Sequence, residues 1–365
     1  MFRKGVGIVL VVVVFFALGA PLLAAPPAAQ GLDWLKTKQQ ADGGFTSGFS
    51  EGSDLGTTCD VILAIAAAGQ DPSTWRSADD RSPLDYLAAQ VAAGDVEKVG
   101  LKAKVVLALV ATMLDPTDFA GHDLIAELKA AYNSETGTYG STLYDHTLIM
   151  LALFNAGQSI PEGAADYLVE NQTTDGAWAF TGGTTEGTGD TNTTALAVQA
   201  LLAAGRRDPI GGAVAYFRRV QNEDGGFPYQ KPSPYGTETD ANSTALVLQA
   251  LMAADEPLDG WAVDAARGAL EGLYDPESGA FFWQASAPFP NVSATAQAIP
   301  ALEANTFLEL GRVGVATLPE PAAGGDGALL PESGAGGLVA PIGWLVVGVF
   351  ALVAGLRLRR EWMGR

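Results

Sequence analysis

The chain has one cysteine, Cys59, and two histidines, His122 and His146, in 365 residues. A single thiol leaves no internal disulfide, so the fold rests on packing. Basic residues are also scarce: 21 Lys and Arg face 41 Asp and Glu, for a net charge of −20. Nucleic acid binds through neutralised phosphates, and a surface this negative repels it. Alternating β-branched runs with hairpin turns are nearly missing, which points away from an all-β fold. What the chain does have is apolar residues, 48% of the total, and a repeat.

Asp190-Thr191-Asn192-Thr193-Thr194-Ala195-Leu196 returns as Asp240-Ala241-Asn242-Ser243-Thr244-Ala245-Leu246. Each copy follows a glycine-aromatic turn, Asp175-Gly176-Ala177-Trp178 and Asp224-Gly225-Gly226-Phe227. Such a period means one supersecondary unit used repeatedly. Six helix pairs are expected. The first helices are amphipathic, at 31–41, 82–94, 122–133, 161–171, 210–221 and 261–273. The second are apolar nearly all round, at 55–68, 98–114, 143–156, 191–204, 241–254 and 292–304. A helix apolar on every side must be covered on every side, so the second set belongs inside. The expectation is an all-α fold, an α6/α6 toroid of six helical hairpins, with an open solenoid as the alternative.

Turns related to the two above occur at Asp42-Gly43-Gly44-Phe45, Gly137-Thr138-Tyr139 and Ser278-Gly279-Ala280-Phe281; the second unit lacks one. Asp54, Asp190 and Asp240 stand where a side chain would cap an inner helix. Asn291 does so in the sixth unit, and Tyr144-Asp145-His146 occupies the corresponding place in the third.

The turns resemble the prenyltransferase and squalene-oxidase repeat over residues 31 to 310. That repeat builds the toroids of protein prenyltransferase β subunits and class II terpene cyclases. Cyclases of this group use an Asp-x-Asp-Asp-Thr-Ala motif, whose crowded carboxylates keep one acid protonated. Here the second and third Asp positions are Asn192 and Thr193, and in the other copy Asn242 and Ser243. The resemblance therefore implies the fold and argues against the proton chemistry. The zinc of the prenyltransferases needs an Asp, a Cys and a His; Asp145, His146 and Cys59 match no such spacing, and no metal is expected. The inner helices are also broadly similar to those of the cobalamin carriers. That makes a corrinoid one candidate ligand, although no β domain follows.

The ends of the chain read as targeting segments. Residues 1–29 form a signal peptide, with Arg3 and Lys4 before an apolar run. The toroid is expected over 31–312, and a Pro/Gly/Ala-rich stalk over 313–337. A transmembrane helix follows at 338–356, then a cytoplasmic basic tail at 357–365 with Arg357, Arg359 and Arg360. Leu330-Pro331-Glu332-Ser333-Gly334 resembles a sortase signal with Ser333 in the Thr position; a plain membrane anchor is the other reading. The toroid would then stand at the cell surface, outside the membrane.

In a ring whose inner helices all point one way, their N-termini converge on one mouth. The candidate ligand-binding residues there are Asp54, Thr57, Thr58, Tyr144, Asp145, His146, Asp190, Asn192, Thr193, Asp240, Asn242 and Ser243. Tyr229 and Trp283 would add aromatic surface. The functional expectation is a non-catalytic toroid that binds a small molecule (corrinoid, terpenoid or glycan) or a surface protein. An exported terpenoid-cyclase-like or polysaccharide-acting enzyme is the alternative.

Overall fold

The computed structural model describes residues 25–48, 52–234, 236–256 and 263–310. The signal segment up to residue 24, and the expected stalk, span and tail, lie outside the described residues. Among the described residues no helix is long and apolar enough to cross a membrane.

Twelve α-helices alternate between two layers in this part of the chain. The outer layer holds α1 (Pro27–Lys36), α3 (Pro83–Ala93), α5 (Leu124–Ala130), α7 (Glu162–Glu170), α9 (Ile210–Val220) and α11 (Val263–Glu271). The inner layer holds α2 (Leu55–Ala67), α4 (Val99–Ala111), α6 (Leu143–Asn155), α8 (Thr191–Ala203), α10 (Ala241–Ala253) and α12 (Val292–Leu302). Each inner helix packs on the next, and α12 packs on α2. That last contact closes the ring and rules out the open solenoid. The first outer helix starts earlier than its periodicity suggests, because Pro27 sits in the first turn, where a missing N–H costs nothing.

The periodicity of the inner helices follows from their position. In α8 every residue from Thr193 to Leu201 is buried, and α10 is buried likewise from Ser243 to Leu251. In α9, by contrast, burial falls on Ile210, Ala213, Tyr216, Phe217 and Val220, one face of a helix.

The repeat signature has a hydrogen-bonding cause. Four residues after the cap in four of the six inner helices (α2, α8, α10 and α12) stands a Thr whose hydroxyl receives the backbone N–H of the turn aromatic. Phe45 donates to Thr58 Oγ1 at 2.9 Å, Trp178 to Thr194 at 2.9 Å, Phe227 to Thr244 at 3.0 Å and Phe281 to Thr295 at 2.9 Å. The carbonyl of the same aromatic accepts the N–H of Asp54, Asp190, Asp240 or Asn291. Each aromatic is thus held at both backbone groups and its ring is driven into the core, where Phe45, Trp178, Phe227 and Phe281 are fully buried. In the third unit His146 takes the place of the Thr, and its Nδ1 accepts the Tyr139 N–H at 3.0 Å.

The turn glycines set the spacing between units. A Cβ on Gly43, Gly137, Gly176 or Gly225 would stand 2.2–2.6 Å from a backbone carbonyl at the start of the next outer helix (Ser82, Gly163, Gly212 and Ala265). Gly279 makes the looser equivalent approach to Gln30 in α1, across the closing seam.

Two short hairpins depart from the all-helical expectation. β1 (Tyr132–Asn133) pairs with β2 (Thr138–Tyr139), and β3 (Phe282–Gln284) pairs with β4 (Ala287–Pro290), both antiparallel. Each forms within the link from an outer to an inner helix, too short to leave an alternating pattern.

Candidate functional site

Aligning the inner helices by their caps shows which phase faces the axis. The sixth residues after the caps are Asp60, Lys104, Leu148, Leu196, Leu246 and Gln297, and all six line one central cavity of about 480 Å³. Five inner helices have the same length, 13 residues, so these positions lie at one depth. Half of this ring is leucine, from α6, α8 and α10. The other half is polar, from α12, α2 and α4.

The polar half is one connected chain. Asn242 Nδ2 donates to Gln297 Oε1 at 2.8 Å, and Gln297 Nε2 donates to Asp60 Oδ2 at 3.0 Å. Asp60 Oδ1 pairs with Lys104 Nζ at 2.6 Å. Lys104 also reaches the Gly56 carbonyl at 3.4 Å. Burial is the largest effect on the Lys104 ammonium and acts to lower its pKa. The Asp60 carboxylate, helped by Tyr144, opposes this, and the net direction is up. Tyr144 lines the same cavity and stacks on Phe180 with centroids 5.6 Å apart.

A strap crosses the end of the lumen at the C-termini of the inner helices and covers part of it. Residues 305–310 cross it, with Asn305, Thr306, Phe307 and Leu310 on the cavity wall. Inner-helix amides hold the strap. Gln199 Oε1 accepts from the Phe307 N–H at 2.8 Å, Asn155 Nδ2 donates to the Phe307 carbonyl at 2.6 Å, and Gln249 Nε2 donates to the Asn305 carbonyl at 3.0 Å.

At the opposite mouth the candidate residues separate into caps, wall and rim. Asp54, Asp190 and Asp240 each accept the N–H three residues on, from Thr57, Thr193 and Ser243 at 2.7–2.8 Å. Asp54 also accepts from the Ser47 N–H, and such bonds hold its pKa below the ordinary value although burial, the largest single effect, raises it. Asp190 and Asp240 are almost fully buried, and burial pushes both up to about 6. Ser243 Oγ satisfies Asp240 Oδ2 at 2.9 Å. In α8 the matching Thr193 hydroxyl does not do so, and among the described residues Asp190 Oδ2 has no hydrogen bond of ordinary geometry, although the Tyr229 phenol interacts with the carboxyl. Asp190 and Tyr229 share a smaller pocket of about 240 Å³ with Phe180 and Gln230.

Several expected site residues sit elsewhere. The third inner helix is capped by Thr142, whose Oγ1 accepts the Asp145 N–H at 3.0 Å. Asp145 is therefore a first-turn residue, lodged against Gly100, where a Cβ would clash with its carboxylate. His146 is buried in the wall. Its Nδ1 is taken by Tyr139 and its Nε2 donates to the Ala164 carbonyl at 3.0 Å, so burial lowers its pKa to about 4 and both nitrogens are used. The Cys59 thiol is fully buried and its pKa is pushed up to about 12, the behaviour of a packing residue. Among the described residues no three His, Cys, Asp or Glu side chains group as metal ligands. Thr57 and Thr58 are wall residues, Asn192 lines neither cavity, and Trp283 is half-exposed on β3. Sequence reading missed Asp60, Lys104 and Gln297, although each interrupts an apolar inner helix at one fixed distance from its cap.

No family model matches the chain. It is 34% identical over 121 residues to the drimenyl diphosphate synthase of Streptantibioticus cattleyicolor, a stretch that is 32% of this chain and 21% of that one. Among solved structures it is similar to the type II terpene cyclase MstE from Scytonema. There the identity is 17%, the TM-score 0.54, and the match covers 76% of this chain and 96% of that one. The fold is the α/α toroid of the type II terpene cyclases. A glycosidase matches this toroid equally well, with 14% identity, a TM-score of 0.54, and coverage of 76% of this chain and 95% of that one. The toroid thus fixes the architecture and leaves the chemistry to the lumen.

Proposed function

We propose that this chain is a binding toroid that holds a small, largely apolar molecule in its lumen and performs no reaction on it. The observation that carries this reading is the cavity of about 480 Å³ lined by all six inner helices, which opens where the exposed Met113 and Leu114 form its rim. Its size and mixed lining suit a drug-sized ligand rather than a corrinoid. Export and a membrane anchor, read from the two ends of the sequence, would display the toroid at the cell surface.

The test uses the full chain and Nile red, an uncharged apolar dye. Saturable fluorescence enhancement is expected. It should weaken clearly in Leu246→Trp, whose indole would project into the cavity and narrow it, while far-UV circular dichroism is unchanged. Equal enhancement in both proteins would sink the lumen reading.

A second reading is a terpenoid-cyclase-like or other exported enzyme. It is favoured by Asp190, a carboxyl with its pKa raised to about 6 beside a pocket and with one oxygen that has no hydrogen bond of ordinary geometry among the described residues. Against it stand Asn192 and Thr193 in place of the other carboxylates. Turnover of a polyprenyl lipid or glycan that disappears in an Asp190→Asn, Asp240→Asn double variant would establish the enzyme.

A further inference from the structure

The lumen carries one ion pair, and that pair selects the ligand's polar end. Asp60 and Lys104 neutralise each other, and each keeps a small part of its side chain, 12% and 18%, open on the cavity. Both Asp60 oxygens are engaged, one by Lys104 and one by Gln297. An ammonium has three N–H donors. Asp60 and the Gly56 carbonyl take two of those of Lys104. The third has no further partner among the described residues.

We infer that the lumen selects an uncharged amphiphile, an apolar chain or ring body bearing one hydroxyl or carbonyl. Its body lies on Leu148, Leu196 and Leu246 and its oxygen accepts from Lys104. This rests on the lumen-binding reading above. A carboxylate or phosphate head would meet Asp60 as well as Lys104 and bring an unmatched negative charge among the leucines of the lumen. A charge taken out of water is disfavoured when no countercharge is free to pair with it. A cationic head beside the leucines finds both Asp60 oxygens taken and meets the Lys104 ammonium; the other lining carboxylate, Asp71, lies at the exposed rim. An oxygen that only accepts a hydrogen bond adds no charge and completes the donor set of Lys104. The site is therefore built against the diphosphate head that the name of the partial relative implies.

The experiment is displacement of Nile red from the full chain at neutral pH by 1-decanol, decanoic acid and decylamine, which share one tail and differ in the head. Decanol should displace the dye about tenfold or more tightly than either ion. In Asp60→Asn, Lys104 loses its countercharge, and the order should invert in favour of decanoate. The wild-type series decides the matter if that variant does not fold. Decanoate or decylamine equal to or tighter than decanol on the wild type overturns the inference and leaves lumen binding intact. Displacement by none of the three overturns both.

Discussion

Thr194 joins the cap of α8 to the turn before it. Its hydroxyl receives the Trp178 N–H and donates to the Asp190 carbonyl at 2.6 Å. Valine has the same shape but would leave a buried N–H unpaired, which costs about 1–3 kcal/mol. Urea unfolding of Thr194→Val should show that loss, and Thr194→Ser should recover most of it. An equal loss in both variants would mean that packing of the methyl group, and not the bond, holds the turn. A second residue-level prediction concerns Asp190 and Asp240. The folded chain holds each proton up to about pH 6, whereas the unfolded chain releases it near 3.8. Between these values the folded state binds more protons, so stability is full below about 3.8 and falls as pH rises through 6. The magnitude is up to roughly 3 kcal/mol per carboxylate. Asn is an equally good cap. The Asp190→Asn, Asp240→Asn protein should therefore keep its helices and lose this slope in urea midpoints measured from pH 4 to 7. A slope unchanged from wild type would show that these two acids do not cause it. Carboxyls with lowered pKa, Asp54 among them, act in the opposite direction, their stabilisation being lost as pH falls below the ordinary value.

At the level of elements, the turn glycines make a close approach that their conformation alone does not explain. Gly225 has φ +89° and would place a Cβ 2.6 Å from the Ala265 carbonyl. Gly157, which ends α6, has φ +70° with open space around it. Alanine at Gly157 should cost only its left-handed backbone, about 1–2 kcal/mol. Alanine at Gly225 adds overpacking of a further 1–3 kcal/mol or so. Thermal or urea melts of the two variants test the difference; equal losses would mean that α11 simply moves aside. These turns and the caps were legible in the sequence because both depend on local chemistry, glycine for positive φ and Asp or Asn for orphan N–H groups. The cap of α6 was misread because Thr142 and Asp145 are both plausible caps, and only the hydrogen bond to the Asp145 N–H separates them. The polar half of the lumen was not read, because Asp60, Lys104 and Gln297 lie on three helices far apart in sequence, and nothing local sets Lys104 apart from Lys102 in α4. Their meaning arises when closure brings α12, α2 and α4 side by side. The strap was missed for a similar reason: its partners Asn155, Gln199 and Gln249 lie far away in sequence.

For the molecule as a whole, closure changes how the repeats share stability. In an open solenoid each unit leans on its neighbours and the ends fray first. Here α1 and α2 pack against α12, and a core of Leu32, Leu35, Ile65 and Ile299 crosses the seam. Ile299 is fully buried. Its replacement by alanine should cost about 2–5 kcal/mol through lost burial and a cavity. In a closed ring the loss is global, since no unit is terminal. Hydrogen exchange should then quicken together in α12 and in α6, two helices that do not adjoin around the ring, with one unfolding transition at a lower midpoint. If Ile299→Ala quickened exchange in α1, α2 and α12 while α6 kept its protection, the seam would be a loose contact between two ends. The lumen would then open there, and the Gln297–Asp60 bond across the seam, which fixes Asp60 beside Lys104, would be lost.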